Sequence, residues 1–267
     1  TKNSGAIDRY NFGYYDGPAI ITLSSGAQIR NCTDADNTEL LAASGELPWN
    51  ELADADNGEP LVLIYHTHTS ESFLPFGSSY DADYPIRSVD CERNITAVGD
   101  AICEALAQRG ISSVHDCTSY DFPMYTGAYY RSAETLLDIL EEYPSIKIAI
   151  DIHRDGLINA DGTAIAPVAE INGKTAAQFM IITGCDSPET PIPNYMQNFK
   201  LACLLQNSAE KLYPTLARPI LFDYRSYNQP LFEGNLLIEV GSQANTLDEA
   251  VYAGDLLGYS IAEAILN

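Results

Sequence analysis

Three apolar runs of strand length, each delivering ionisable residues at its end, constrain this chain more than any other feature. Leu61-Val62-Leu63-Ile64-Tyr65 leads into His66 and His68, Ile146 to Ile152 leads into His153, and Asn235-Leu236-Leu237-Ile238 carries Glu239 before Val240. Continuous apolar runs of about four to eight residues fit strands buried on both faces. Helical spacing separates them. Ile95, Val98, Ile102 and Leu106 recur through residues 94–109, which stop at Gly110, a helix-ending residue. Ala133 to Glu142 reads as a helix halted before Pro144, residues 195–212 gather Phe199, Ala202, Cys203 and Leu205, and a last helix is predicted over about 246–265. Buried strands alternating with helices predict an α/β fold, a mainly parallel twisted sheet with helices on both faces. In such sheets ligands bind at the carboxyl ends of the strands, where these ionisable residues fall.

The first sixty residues differ in texture. They hold ten acidic residues against three basic ones and end in the turn-rich Asp54-Ala55-Asp56-Asn57-Gly58-Glu59-Pro60. Ala19 to Leu23 is predicted as a strand and 46–53 as a short helix. The expected organisation is an N-terminal segment over 1–60, of unassigned role, and a main domain over 61–267. Within the latter, 165–171 and 178–183 flank Asn172-Gly173 and are predicted to form a hairpin.

A net charge of −23 argues against nucleic acid, whose phosphates demand Lys and Arg, and against anionic membrane surfaces. The six cysteines, at 32, 91, 103, 117, 185 and 203, form no CxxC pair, so a thiolate zinc site is not expected. Cys103 and Cys203 read as small buried hydrophobes. No apolar run is long enough to span a bilayer, and the start carries no signal-like stretch.

The chemistry rests on the strand ends. The chain has four histidines, His66, His68, His115 and His153. Three follow predicted buried strands, and His115 reads as structural or solvated. Catalytic zinc takes three nitrogen or oxygen ligands and keeps one position for water, which it acidifies toward neutrality. A further carboxylate must then move the proton from water to the leaving group. His68 and His153 are the expected imidazole ligands, and Glu239, in an apolar strand, is the expected general base. The third ligand has two candidates. Glu71 stands three residues after His68, in an HxxE spacing that occurs in zinc carboxypeptidases; Glu92 precedes a predicted helix.

These motifs resemble those of the stage II sporulation protein P family. The resemblance is carried by Tyr65-His66-Thr67-His68-Thr69-Ser70-Glu71-Ser72-Phe73-Leu74-Pro75, by Asn94-Ile95-Thr96-Ala97-Val98-Gly99, by Ile150-Asp151-Ile152-His153-Arg154-Asp155, and by Asn235 to Gly241 with Asn245-Thr246, in that order over about 60–265. It implies a zinc-dependent N-acetylmuramoyl-L-alanine amidase acting on peptidoglycan in engulfment, with endopeptidase activity on stem-peptide crosslinks. It further implies an extracytoplasmic, membrane-anchored protein, of which this chain is a soluble fragment, and a lytic transglycosylase and a membrane protein as partners. By more distant similarity to cell-wall zinc amidases, the ligands would be His68, Glu92 and His153, with Glu239 catalytic. The choice between His66 and His68 as the ligand stays open, with His68 fitting the distance from the strand better; His66 would then contact substrate or the reaction oxyanion. Arg154, or the backbone around Gly241, would stabilise the oxyanion or bind a stem-peptide carboxylate, unless Arg154 pairs with Asp151 or Asp155. Tyr80, Tyr84, Tyr125, Tyr129 and Tyr130 are candidates to line a glycan cleft.

Two rivals stand beside this expectation. One is a zinc carboxypeptidase acting on cell-wall peptides, supported by the HxxE spacing. The other is a non-catalytic wall-binding module. A serine hydrolase is disfavoured because no GxSxG elbow occurs.

Overall fold

The structure, a computed structural model, describes residues 4–49, 58–77, 79–81 and 84–267. In chain order the first elements are β1 (Ser4–Gly5), β2 (Ile7–Tyr10), β3 (Ile20–Thr22), β4 (Gln28–Asn31), α1 (Asn37–Ala43), β5 (Val62–Tyr65) and β6 (Tyr80–Asp81). There follow α2 (Thr96–Gln108), β7 (Ser113–His115), α3 (Ala128–Glu142), β8 (Ile148–Asp155), β9 (Ala164–Ile171), β10 (Lys174–Ala177) and β11 (Phe179–Gly184). The chain closes with α4 (Tyr195–Leu212), β12 (Ile220–Asp223), β13 (Asn235–Ser242) and α5 (Leu247–Leu266).

Eight strands form the main sheet, in the order β3-β4-β12-β11-β13-β8-β5-β7. The pairs β4–β12, β12–β11, β13–β8, β8–β5 and β5–β7 are parallel, while β3–β4 and β11–β13 are antiparallel. The expected mainly parallel α/β sheet is therefore observed. The three apolar runs are its adjacent strands β13, β8 and β5. Since all three run the same way, their carboxyl ends meet at one edge.

Strand alternation sorts their side chains between two faces. Val62 and Ile64, Ile148, Ile150 and Ile152, and Leu236, Ile238 and Val240 enter one core with residues of α2, α4 and α5. Leu63, Tyr65 and Ala149 face the other way and pack on Leu136, Ile139 and Leu140 of α3. Helices thus cover both faces, and on the second α3 packs with residues of β5, β8 and β7 (Val114). Asp151, His153, Leu237 and Glu239 point to this second face. On the first face α2 and α5 approach closely: a Cβ on Gly258 would lie 2.7 Å from the Ile102 carbonyl oxygen and 2.6 Å from the Ala105 Cβ. The start of α5 is fixed by a capping box between Thr246 and Glu249.

The N-terminal residues join this framework. β3 and β4 extend the main sheet through β12, and β2 pairs parallel with β9 in a separate three-stranded sheet, β10-β9-β2. Residues 46–49, where a helix is expected, are irregular, with bends at 46 and 48, and 50–53 lie outside the described residues. The expected hairpin is corrected. Asn172 and Gly173, both at positive φ (53° and 76°), do reverse the chain after β9, but its partner is β10. Residues 179–184 instead enter the main sheet between β12 and β13. Gln178 marks the crossing: its amide donates to the Pro167 carbonyl, and its side chain bonds Phe12 and Thr215.

Candidate metal centre and active site

After β5 the chain turns sharply, the Glu71 amide donating to the His68 carbonyl at 3.0 Å. This turn is locked from below and from the side. Asp151 accepts from the Thr67 amide (2.8 Å) and hydroxyl (2.7 Å), and Asp121 accepts from the Ser70 amide (3.0 Å), the Ser70 hydroxyl (2.6 Å) and Arg87 (2.7 Å). Thus anchored, the turn carries His68 and Glu71 over the end of β8. Glu71 Oε1 lies 3.6 Å from His68 Nδ1, and Glu71 Oε2 lies 3.5 Å from His153 Nδ1. One donor atom from each of the three residues falls within 4.8 Å of the others.

These separations are long for hydrogen bonds and suit ligands of a common ion. Two zinc bonds of ~2.1 Å at a tetrahedral angle hold their donor atoms about 3.4 Å apart. The donor set, two imidazoles and a carboxylate, is also one that catalytic zinc takes. Asp151 Oδ1 lies 2.9 Å from His153 Nε2, though off the line of a hydrogen bond. A carboxylate on that side favours the tautomer whose Nδ1 lone pair faces Glu71 and His68. The Arg154 amide donates to Glu71 Oε2 at 3.0 Å and orients the carboxylate. Burial works against charge on Glu71, but the His153 and His68 imidazoles outweigh it and hold its carboxyl well below the usual range. Burial likewise opposes charge on His153, and Asp151 and Glu71 outweigh it, so that the ring titrates well above an ordinary histidine.

Glu239 completes the group. It is the register partner of His153 across β13 and β8, so both side chains leave the sheet on the same face. Its Oε2 is buried and has no hydrogen-bond partner. Burial is the main cause that lifts its carboxyl to about 8. Aromatic rings wall the α3 side: Tyr125 stacks on His68 with centroids 4.6 Å apart, Tyr129 lies parallel to His153 at 6.3 Å, and Tyr227 stands 5.7 Å from Tyr129.

The structure therefore gathers His68, Glu71, His153 and Glu239 and sets aside others expected from the sequence. Glu92 is exposed, in a turn held by Asp90. The reason is local. The Glu71 carbonyl accepts from the Ile95 amide (2.7 Å), and Ser72 bridges to Asn94. Residues 71–72 thus run inside the 86–94 segment and leave Glu92 on its outer side. His66 is fully buried, Nδ1 on the Ile152 carbonyl (3.0 Å) and Nε2 on His115 Nε2 (2.8 Å). It is thereby turned into the interior and away from the sheet face that carries His68 and His153; burial first, then His115, lowers it to about 3. Gly99 permits this pair, for a Cβ there would lie 2.6 Å from His66 and closer still to His115. His115 is held on its other side by Asp100 at 2.9 Å. The Arg154 guanidinium donates to the Ile86 carbonyl at 2.6 Å, so this side chain clamps the 84–88 segment and makes no ion pair with Asp151. Tyr130 is exposed, and the Tyr80 side chain lies outside the described residues. Sequence reasoning passed over Asp121, Arg87, Tyr227 and Arg218. Asp151 alone carried a signal of its wider role, an acid inside an apolar strand.

Residues 23–262 match the profile of the stage II sporulation protein P family. The chain belongs to this family. It is 32% identical over 201 residues to stage II sporulation protein P of Bacillus subtilis (strain 168), a match covering 71% of this chain and 47% of that protein. The chain thus spans about half the length of this curated relative. Similar solved structures include the N-acetylmuramoyl-L-alanine amidase AmiC2 of Nostoc punctiforme (15% identical, 78% of this chain and 96% of that one, TM-score 0.46). Another is an N-acetylmuramoyl-L-alanine amidase from Clostridium difficile 630 (15% identical, 79% and 96%, TM-score 0.42). Among the described residues no helix is long and apolar enough to cross a membrane.

Proposed function

We propose that this chain is the catalytic part of a zinc-dependent peptidoglycan hydrolase that cleaves the amide between N-acetylmuramic acid and L-alanine during sporulation. One observation carries the reading: His68, Glu71 and His153 converge on the sheet face where Glu239, in register with His153, holds a buried carboxyl oxygen, Oε2, without a partner. His68, Glu71 and His153 would hold the ion, with Asp151 and the Arg154 amide orienting them. Bound there, zinc supplies Lewis acidity for the amide carbonyl and for the attacking water. Glu239 takes the proton of that water as its oxygen bonds the carbonyl carbon. It then gives the proton to the amine nitrogen as the C–N bond breaks. Burial holds this carboxyl above the ordinary range in the metal-free chain, and a nearby zinc ion would draw it back down, toward the range in which one group can both take and return a proton. The rings of Tyr125, Tyr129 and Tyr227 offer stacking faces to the sugar.

Family membership supports the setting: action on peptidoglycan outside the cytoplasmic membrane, from a membrane-anchored whole protein, beside a lytic transglycosylase and a membrane protein. Cleavage of stem-peptide crosslinks belongs to the same proposal. The test is mass spectrometry of products from purified peptidoglycan incubated with the chain and Zn²⁺, beside His153→Ala. Free stem peptides and peptide-free glycan, absent from the variant, are the expected result. Stems shortened yet still attached to muramic acid would replace the amidase by a carboxypeptidase, a reading that the His68–Glu71 spacing favours. Absence of any product would leave a wall-binding protein.

A further inference from the structure

A cavity of about 600 Å³ opens beside Glu239 and runs along the second face of the sheet, away from α3. Met180 and Ile182 of β11 form its apolar floor, and Arg218, Arg30 and Asp155 stand in its wall. Arg225 also lines the cavity and is paired with Asp223 at 2.8 Å. Basic residues are scarce in this chain, 14 against 37 acidic ones, so three arginines beside one apolar floor call for a physical reason.

Arg218 supplies it. The residue is 5% exposed. One nitrogen, Nη1, donates to Asp155 Oδ2 at 3.0 Å, while Nε and Nη2 are buried with no hydrogen-bond partner. A guanidinium is a rigid fork of donors matched to a carboxylate, and buried donors are rarely left unpaired. Arg30 makes no ion pair among the described residues. The wall thus holds donor capacity that its own acids do not use.

The order of the strands says which part of a substrate arrives there. Glu239 must reach the leaving nitrogen, so the leaving peptide lies next to Glu239. Across the sheet, β11 and β12 lie on one side of β13, and β8 and β5 on the other, where Tyr125 stacks on His68 and Tyr129 on His153. A sugar stacked on Tyr125 and Tyr129 therefore directs the peptide over β11, into this cavity.

We propose that the cavity is the subsite for the peptide side of the substrate, and that Arg218, assisted by Arg30, selects an acidic peptide by pairing with a free carboxylate near the scissile amide. The orientation rests on the amidase reading above; the carboxylate preference rests on the wall itself.

The experiment is calorimetric titration of the zinc-loaded chain with two probes that it cannot hydrolyse as an amidase. One is the dipeptide L-alanyl-γ-D-glutamate, with a free α-carboxylate; the other is the same dipeptide as its α-carboxamide. The acid is expected to bind at least tenfold more tightly than the amide. Arg218→Gln should abolish that ratio and Arg30→Gln should reduce it, with amide binding unchanged in both. Arg30 has an exposed side chain, so its variant keeps the test valid should Arg218→Gln fail to fold. Equal affinity for the two probes, or a ratio that survives both substitutions, overturns the proposal. Hydrolysis of peptidoglycan is scored separately. Selective acid binding without hydrolysis keeps the subsite and removes the amidase; hydrolysis without selectivity does the reverse.

Discussion

Glu239 and His153 are register partners on neighbouring parallel strands, and both project onto the same face of the sheet, His153 beside Tyr129 of α3. The pairing places a buried carboxyl beside a candidate ligand without help from any loop. A site built on strands holds its geometry better than one built on loops, and only the His68–Glu71 turn had to be fixed separately, by Asp151 and Asp121.

The ligand set can be tested by metal content. Chelator-treated chain should take up one zinc per molecule, and His68→Ala, Glu71→Ala and His153→Ala should each lose stoichiometric binding. Glu92→Ala should retain it. Asp151→Asn, which alters the partner of His153, should weaken affinity roughly 10–100-fold. Because His153 binds its proton tightly in the metal-free chain, zinc uptake should release protons and strengthen as pH rises. Calorimetry in buffers of different ionisation heat measures both. Loss of zinc from Glu92→Ala with retention in Glu71→Ala would reverse the assignment.

Glu239→Gln should leave zinc content intact and lower kcat about 10²–10⁴-fold, the range for loss of a general acid–base. Release of soluble fragments from peptidoglycan, assayed at matched metal occupancy, gives the number. A variant retaining most activity would leave proton transfer to some other group.

The same residue predicts a pH dependence of stability in the metal-free chain. Burial raises the Glu239 carboxyl from 4.5 to about 8, so the fold favours its neutral form. Its contribution is complete below pH 4.5 and disappears as pH rises through 8. Glu239→Gln should therefore gain on the wild type between pH 5 and pH 9, by a few kcal/mol on the order of 1.36 kcal/mol per pH unit between the two pKa values. Urea unfolding at the two pH values provides the comparison, and a gap of constant size would contradict the burial argument.

The contact between α2 and α5 gives a test remote from the chemistry. Gly258→Ala puts a methyl against the Ile102 carbonyl and Ala105, and forcing the helices apart should cost about 1–3 kcal/mol. The gain in helix propensity, about 1 kcal/mol, offsets only part of this. Thermal unfolding should show a lower Tm, with zinc content and activity at low temperature preserved.

Much of the site was legible because burial and ionisation are written side by side in the sequence. An acid inside Leu236-Leu237-Ile238-Glu239-Val240, or histidines directly after Leu61 to Tyr65, is costly without a use. The choice between Glu71 and Glu92 was not legible. It depends on the Glu71 carbonyl meeting the Ile95 amide and Ser72 bridging to Asn94, contacts over more than twenty residues that no spacing encodes. The same limit applies to His66. It sits two residues from His68 and looks equivalent in sequence, yet the turn after β5 begins between them, at Thr67. One ring turns under Ile152, and the other over Glu71.

The sequence by itself determined the α/β class, the three central strands and the ionisable residues at their ends that are proposed to carry hydrolysis, because apolar runs and scarce histidines are local facts. Tertiary structure decided the rest. Strand order put Glu239 beside His153, the turn after β5 selected Glu71, and β3 and β4 drew the first residues into the main sheet. It also assembled the Arg218 wall from strands far apart in the chain. Register, facing and convergence are relations between segments, fixed only when backbone pairing and burial are satisfied together.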